Sequence, residues 1–170
     1  MTYAFNQSVR FLLVSWLLCL SACTTQLAPP FDQAITDGLI GVNQQAMTLF
    51  ASVSSGTGSD TYTQRDSTYN GLIGSIDALV LQAKARPIPK TSVNEKIKTL
   101  LDKRGITLPE TGDVPSAAAL EQISITLAKM RDTDKKQVIT AFEVAAFKGQ
   151  TVIYLDQALT YENFLAREVN

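Results

Sequence analysis

The sequence predicts an all-α protein, an antiparallel four-helix bundle with one short extra helix, preceded by a cleaved amino-terminal signal segment. Apolar residues recur at steps of three and four over most of the 170-residue chain. No convincing period-two alternation, which would indicate β-strands, interrupts that pattern. The Gly/Ser-rich connection from Ser54 to Asp60 is short, so the two long segments around it should form an antiparallel hairpin.

The helix boundaries follow from caps and breakers. Pro87 should end the second helix, because proline removes a backbone donor and clashes with the preceding turn. Ser92 and Glu95 have the spacing of a capping box ahead of the short helix, and Ser116 is a suitable N-cap for the third long helix. The predicted helices span about 32–54, 61–85, 93–104, 117–131 and 134–167.

Each long helix has an apolar stripe that should face the core. In the first helix the stripe runs from Phe31 to Val53, and in the second from Tyr69 to Ala83. In the third helix the predicted core residues are Leu120, Ile123, Leu127 and Met130. In the fourth helix they are Val138, Phe142, Ala145, Gly149, Val152 and Leu159.

A short repeat links the first two helices. Gly38-Leu39-Ile40-Gly41 recurs as Gly71-Leu72-Ile73-Gly74, and the copies are symmetric about Gly56, so they should lie level in the hairpin. The glycines fall away from each apolar stripe. They either admit a third element or a ligand, or they are helix-weakening residues on a solvated face.

The amino terminus has the features of an export signal. Residues 1–10 are polar and end in Arg10, and residues 11–20 are apolar except for Ser15. This apolar run is too short to span a bilayer, which takes about 20 residues, but it has the length of a secretory h-region. It is followed directly by two small residues and a cysteine, in the order Leu20, Ser21, Ala22, Cys23.

This four-residue sequence resembles the lipobox of bacterial lipoproteins. The resemblance implies that Cys23 receives a diacylglyceryl group, that signal peptidase II cuts before it, and that its new amino group is acylated with a fatty acid such as palmitate. The chain then divides into a signal peptide (1–22), a lipidated cysteine with a short tether (23–30) and the helical domain (31–170). Thr24, rather than Asp, after the cysteine implies the outer membrane, facing the periplasm.

The composition argues against several functions. The chain has no histidine, which removes the commonest general base and metal ligand. Its two cysteines are Cys19, in the segment to be discarded, and Cys23, the acylation site, so we expect no disulfide, metal or cofactor. The 15 basic and 16 acidic residues are nearly balanced, which is atypical of a nucleic-acid-binding protein.

Four carboxylates are candidates for chemistry or ligand binding: Asp77, Glu143, Asp156 and Glu162. Only Asp156 falls near the centre of the predicted core stripe of its helix. It either contacts a ligand inside the bundle or is satisfied by a neighbouring Lys, Arg or Ser. No motif of a known catalytic site accompanies these residues, so we expect the protein not to be an enzyme, and a hydrolase without a recognisable motif ranks third.

A candidate partner surface lies on the fourth helix, opposite its predicted core stripe, and consists of Phe147, Tyr154, Tyr161 and Leu165. A helix that is apolar on two sides either is central in its bundle or offers one side to a partner. The sequence therefore favours a lipid-anchored, non-enzymatic accessory or adaptor protein of the cell envelope that binds another envelope protein. The alternative is a carrier that holds a small apolar ligand or a lipid inside the bundle.

Overall fold

Four long helices and one 3-10 turn make up the described part of the chain, residues 28–58, 60–87 and 114–168 of a computed structural model. The long helices are α1 (Gln33–Ser52), α2 (Asp66–Lys84), α3 (Pro115–Lys136) and α4 (Ala141–Glu168), and the 3-10 turn is Tyr62–Gln64. The predicted all-α bundle is confirmed. The predicted short helix at 93–104 lies outside the described residues.

α1 matches its prediction closely, and α2 ends as predicted but begins only at Asp66, after the 3-10 turn Tyr62–Gln64. Asp32 caps α1 by accepting a hydrogen bond of 2.9 Å from the backbone N–H of Ala34. Apart from one adjacent pair in each helix, the buried residues of both helices are spaced at three and four, so each helix presents one apolar stripe to the core. They are Ile35, Leu39, Val42, Ala46, Leu49 and Phe50 in α1, and Tyr69, Leu72, Ile76, Leu79, Val80 and Ala83 in α2.

α3 differs from its prediction at both ends. Pro115 occupies the first helical turn, where its missing N–H costs nothing, and Ser116 lies inside the helix rather than capping it. The Ser116 hydroxyl instead donates to Glu162 on α4. The helix also continues past Arg131 to Lys136, and the buried Asp134 in this extension is held by Arg65.

α4 begins later than predicted, at Ala141, because a capping box fixes its first turn. Glu143 N–H donates to the Thr140 hydroxyl at 3.2 Å, and the Glu143 carboxylate accepts from the Thr140 backbone N–H at 2.8 Å. From there the helix runs without interruption to Glu168, so Gly149 does not end it.

The helices form a ring in which each packs against the next, and α4 closes the ring on α1. Neighbouring helices are antiparallel, because the start of α2 meets the end of α3 at Arg65 and Asp134, while the start of α3 meets the end of α4 at Ser116 and Glu162. Large apolar side chains from all four helices fill the centre, among them Phe50, Tyr69, Ile123 and Leu165.

The α1–α2 loop is fastened to the α3–α4 connection by a single isolated bridge. Thr57 N–H donates to the Ile139 carbonyl at 2.8 Å, and Ile139 N–H donates to the Thr57 hydroxyl at 3.0 Å. Gly56 has φ +96°, and a Cβ there would lie 2.8 Å from the Ile139 carbonyl oxygen. The loop therefore needs glycine at this position.

Candidate functional site

The lipobox residues Leu20, Ser21, Ala22 and Cys23 lie outside the described residues. In the described part of the chain, no helix combines the length and the hydropathy that crossing a bilayer requires.

The four residues predicted as a partner surface face the interior, so that prediction is wrong. Leu165 is 2% exposed, and the side chains of Phe147, Tyr154 and Tyr161 are partly buried against the core. Burial raises the pKa of the Tyr161 phenol, as expected for a ring withdrawn from water. These side chains lie on the same side of α4 as its buried residues, which include Val144, Leu155 and Ala158.

Most of the stripe predicted as the core side of α4 faces outward instead, and of its members within the helix only Leu159 packs against the core, partly buried. Phe142 is 83% exposed, and Val152 and the nearby Ile153 and Phe164 are also exposed. Ala145 and Gly149 are exposed as well. We define the outer face of α4 as six exposed residues of this side: Phe142, Ala146, Gly149, Val152, Ile153 and Phe164.

Tertiary contacts, and not the position of the first residue, decide which side of α4 faces the core. Val138, the first residue of the predicted stripe, lies in the connection before the helix. The polar residues Thr151 and Glu162 lie on the buried side together with the aliphatic residues, and Glu162 is held there by Arg86 and Ser116. The Thr140–Glu143 capping box is the sequence signal that marks the true start.

The buried carboxylate of α4 is Glu162 and not Asp156, which is exposed. Arg86 Nη2 donates to Glu162 Oε1 at 2.6 Å, and Arg86 Nη1 donates to Oε2 at 2.8 Å. Arg86 Nη2 also donates to the Ser116 hydroxyl oxygen at 3.0 Å. This cluster ties the end of α2 to the start of α3 and the last turns of α4.

A second ion pair, with a buried carboxylate and a partly exposed arginine, lies at the opposite end of the bundle. Arg65 Nε and Nη2 donate to the two carboxylate oxygens of Asp134 at 2.8 and 2.9 Å. The Tyr69 hydroxyl donates to Asp134 Oδ2 at 3.3 Å. Burial, followed by the Asp134 charge, raises the pKa of Tyr69 well above its ordinary value. Neither pair is predictable from the sequence, because the partners are far apart in the chain and share no local motif.

The remaining candidate carboxylates have separate local roles. Asp77 accepts a hydrogen bond from the Ser124 hydroxyl at 2.6 Å across α2 and α3, and Glu143 caps α4. Glu143 and Glu162 are 19 residues apart on one helix, about 28 Å. The structure therefore does not bring the four predicted carboxylates together in one site.

Among the described residues, two open grooves run between neighbouring helices. The groove between α1 and α2, about 490 Å³, is lined by both Gly41 and Gly71, so the two repeat copies do lie level. An added Cβ at Gly41, Gly71 or Gly74 would meet no atom within 4 Å. The groove between α2 and α3, about 560 Å³, is more apolar because Leu81 and Ile125 line it.

Within the described ranges, no three acidic or sulfur-bearing side chains converge closely enough to hold a metal ion. In the part of the chain that the structure describes, fold and site together define an all-α four-helix bundle with the buried Arg86–Glu162 pair, the partly exposed Arg65–Asp134 pair and an exposed apolar face on its last helix. Comparisons with protein-family models, with curated proteins and with solved structures found no match to this chain.

Proposed function

We propose that this protein is a lipid-anchored accessory or adaptor protein of the cell envelope, which acts through protein contact and not through catalysis. The observation that carries the proposal is the outer face of α4, where Phe142 and Ile153 are 83% and 58% exposed. A run of large apolar side chains along one helix face is unusual on a monomer and typical of an interaction surface. This face replaces the surface that the sequence predicted on the other side of the same helix.

The anchor part of the proposal rests on the resemblance of Leu20 to Cys23 to a lipobox. Acyl chains contribute about 0.8 kcal/mol per buried CH₂, so several chains give a stable attachment. The tether from Thr24 to Pro30 reaches at most about 25 Å. Pro30 and Phe31 line a groove with Arg86 and Pro87, so the tether joins the bundle at the end that holds the Arg86–Glu162 pair. A partner in the same leaflet then meets the protein at high effective concentration.

The roles of the carboxylates support a non-catalytic protein. Glu162 and Asp134 are each held by an arginine, and Glu143 is occupied in capping a helix. A carboxylate that acts as a general acid or base needs an oxygen within hydrogen-bond reach of the substrate. These three carboxylates instead accept hydrogen bonds from other residues of the fold.

A second candidate function is a carrier of a small apolar ligand, and the groove between α2 and α3 favours it. Leu81, Val80 and Ile125 give this groove an apolar lining. It lies on the surface, whereas the sequence-based alternative placed the ligand inside the bundle. Leu81→Glu should then abolish co-purification of the ligand, and Ile153→Glu should leave it unchanged.

Metabolic labelling with radioactive palmitate tests the anchor. Cys23→Ser should remove the label and leave an uncut precursor, whereas Cys19→Ser should keep both the label and the cleavage. Label that persists in Cys23→Ser rejects Cys23 as the acylated residue, and with it the lipobox.

A photo-reactive amino acid at single positions tests the contact face. In intact cells, a probe at position 142 or 153 should form a protein adduct, and a probe at position 81, which is 70% exposed on α2, should not. Either kind of adduct, with a second copy or with another protein, supports an adaptor. If probes at 142 and 153 label no protein, the outer face of α4 is not a contact surface and the proposed function fails.

A further inference from the structure

The three largest side chains on the outer face of α4 are evenly spaced. Phe142 and Phe164 each lie 11 residues from Ile153, one before it and one after it. Eleven residues make about three helical turns, so the three side chains lie near one line, about 16 Å apart. All three are more than half exposed. The pattern reads the same in both directions along the helix.

A pattern of this kind suits a two-fold contact with itself. In an isologous interface, residue i of one copy meets residue j of the other, and j meets i. If two copies of α4 pair antiparallel with Ile153 at the axis, Ile153 meets Ile153, and Phe142 meets Phe164 twice. Gly149 and Ala146 then meet Gln157 and Thr160. Because Gly149 has no side chain and open space around it, the two helices can approach closely there.

The charges on this side of α4 favour the antiparallel arrangement over the parallel one. Asp156 and Arg167 are exposed on it. A parallel pair places each of these charges opposite its own copy, and like charges in contact oppose association. The antiparallel pair places Asp156 opposite Gln150, so no like charges meet.

The available area matches a modest but specific dimer. α4 has 28 residues and is therefore about 42 Å long. Contact along a helix face of this length buries on the order of several hundred Å² per copy, toward the lower end of specific interfaces, whose typical size is about 800 Å² per partner. An interface of this size benefits from confinement of both copies to one membrane surface.

From these observations we infer that the outer face of α4 binds a second copy of this chain, with the two α4 helices antiparallel about a two-fold axis at Ile153. The inference names the partner of the contact face and so rests on the proposed function. The axis lies perpendicular to α4. When it is normal to the membrane, both copies sit at the same height and both tethers reach the same leaflet.

Cysteine crosslinking of the full chain in its membranes tests the arrangement. Ile153→Cys should give a covalent dimer on mild oxidation, because the two thiols meet at the axis. Phe142→Cys alone should not, since its partner position is 164. Differently tagged Phe142→Cys and Phe164→Cys chains produced together should give the mixed dimer. The unchanged chain controls for crosslinks through Cys19 and Cys23. Leu81→Cys controls for crosslinks that form by random collision.

Each outcome decides between the alternatives. A dimer from Phe142→Cys alone indicates parallel pairing and overturns the inference, as does equal crosslinking of Ile153→Cys and Leu81→Cys. Ile153→Glu should weaken the dimer roughly tenfold or more in sedimentation of the detergent-extracted protein, with Leu81→Glu unchanged. If Ile153→Cys gives no dimer while photo-probes at 142 and 153 still capture a different protein, the proposed function stands and this inference fails.

Discussion

The guanidinium of Arg86 donates two hydrogen bonds to the carboxylate of Glu162, Nη2 to Oε1 at 2.6 Å and Nη1 to Oε2 at 2.8 Å. The Glu162 side chain is fully buried, and Arg86 lies just beyond the end of α2. A buried ion pair adds little net stability, because both charges lose their hydration. Removing one partner is strongly destabilising, because the other charge then stays buried without compensation. This pair fixes how the ends of α2 and α4 meet.

Arg86→Met should therefore lower the free energy of unfolding by about 3–5 kcal/mol, because it leaves the Glu162 carboxylate buried without its cation. The double variant Arg86→Met with Glu162→Met should recover much of that loss, since no charge remains to be desolvated. Urea unfolding of the fragment from Thr24 onward measures both. If the single variant costs less than about 1 kcal/mol, the carboxylate has found water or another partner and the pair is not a buried one.

Gly56→Ala should destabilise the protein by about 1–3 kcal/mol, because φ is +96° and the new Cβ would lie 2.8 Å from the Ile139 carbonyl oxygen. Gly71→Ala is the matched control, since an added Cβ there meets nothing within 4 Å. In a helix interior this change should be neutral or stabilise by up to about 1 kcal/mol. The melting temperature should fall in Gly56→Ala and should stay unchanged or rise in Gly71→Ala. A shared direction contradicts the loop geometry described for Gly56.

Local patterns in the sequence predicted α1 and α2 well. In these helices the apolar residues form a single stripe, so periodicity alone selects the inward side, and residues such as Ile35, Leu39 and Ile76 are buried as expected. The end of α2 near Pro87 was also predictable, because the backbone chemistry of proline does not depend on tertiary context.

The inward side of α4 was not predictable in the same way, because this helix is apolar on both sides. The hydrophobic pattern alone does not show whether the side with Phe142 or the side with Tyr154 faces the core, because each belongs to an apolar stripe. The choice is made by tertiary contacts: Glu162 needs Arg86 and Ser116, which approach from α2 and α3. The Arg65–Asp134 pair was not predictable for the same reason: it depends on tertiary contact between residues 69 positions apart.

The Thr140 cap should be measurable on its own. Thr140→Ala removes the hydroxyl that accepts from Glu143 N–H, and such changes typically cost about 1 kcal/mol. Thr140→Ser keeps the hydroxyl and should retain most of the stability. Chemical denaturation distinguishes them. Equal losses in the two variants would show that the methyl group, and not the hydroxyl, is what matters at this position.

Glu143 should make the first turn of α4 sensitive to acid. The Thr140 backbone N–H, and then its hydroxyl, lower the pKa of Glu143 below its ordinary value of 4.5. A carboxyl with a lowered pKa in the folded state contributes stability above its unfolded pKa, and that contribution disappears as the pH falls through the folded value. The stability difference between the unchanged protein and Glu143→Ala should thus be constant near neutral pH and shrink below about pH 4.5. A difference that persists undiminished at pH 2–3 would show that the ionised carboxylate is not the source.

Truncation of the large side chains on the two sides of α4 should have different effects on the free energy of unfolding. Tyr154 and Tyr161 pack against the core, and Phe142 and Ile153 face outward. Both pairs are large and apolar, so a comparison of the two double-alanine variants matches the chemistry and varies the burial.

Tyr154→Ala with Tyr161→Ala should lower the free energy of unfolding by roughly 2–4 kcal/mol, less than for two fully buried rings because both are only partly buried. Phe142→Ala with Ile153→Ala should change it by less than about 0.5 kcal/mol when measured at a protein concentration low enough to keep the fragment monomeric. The second variant should instead lose the crosslinks made through the outer face. Urea denaturation and crosslinking of the same two proteins provide both readouts. If the tyrosine pair proves neutral and the Phe142–Ile153 pair strongly destabilising, α4 is rotated by about half a turn, and the side first expected from the sequence is the one that faces the core.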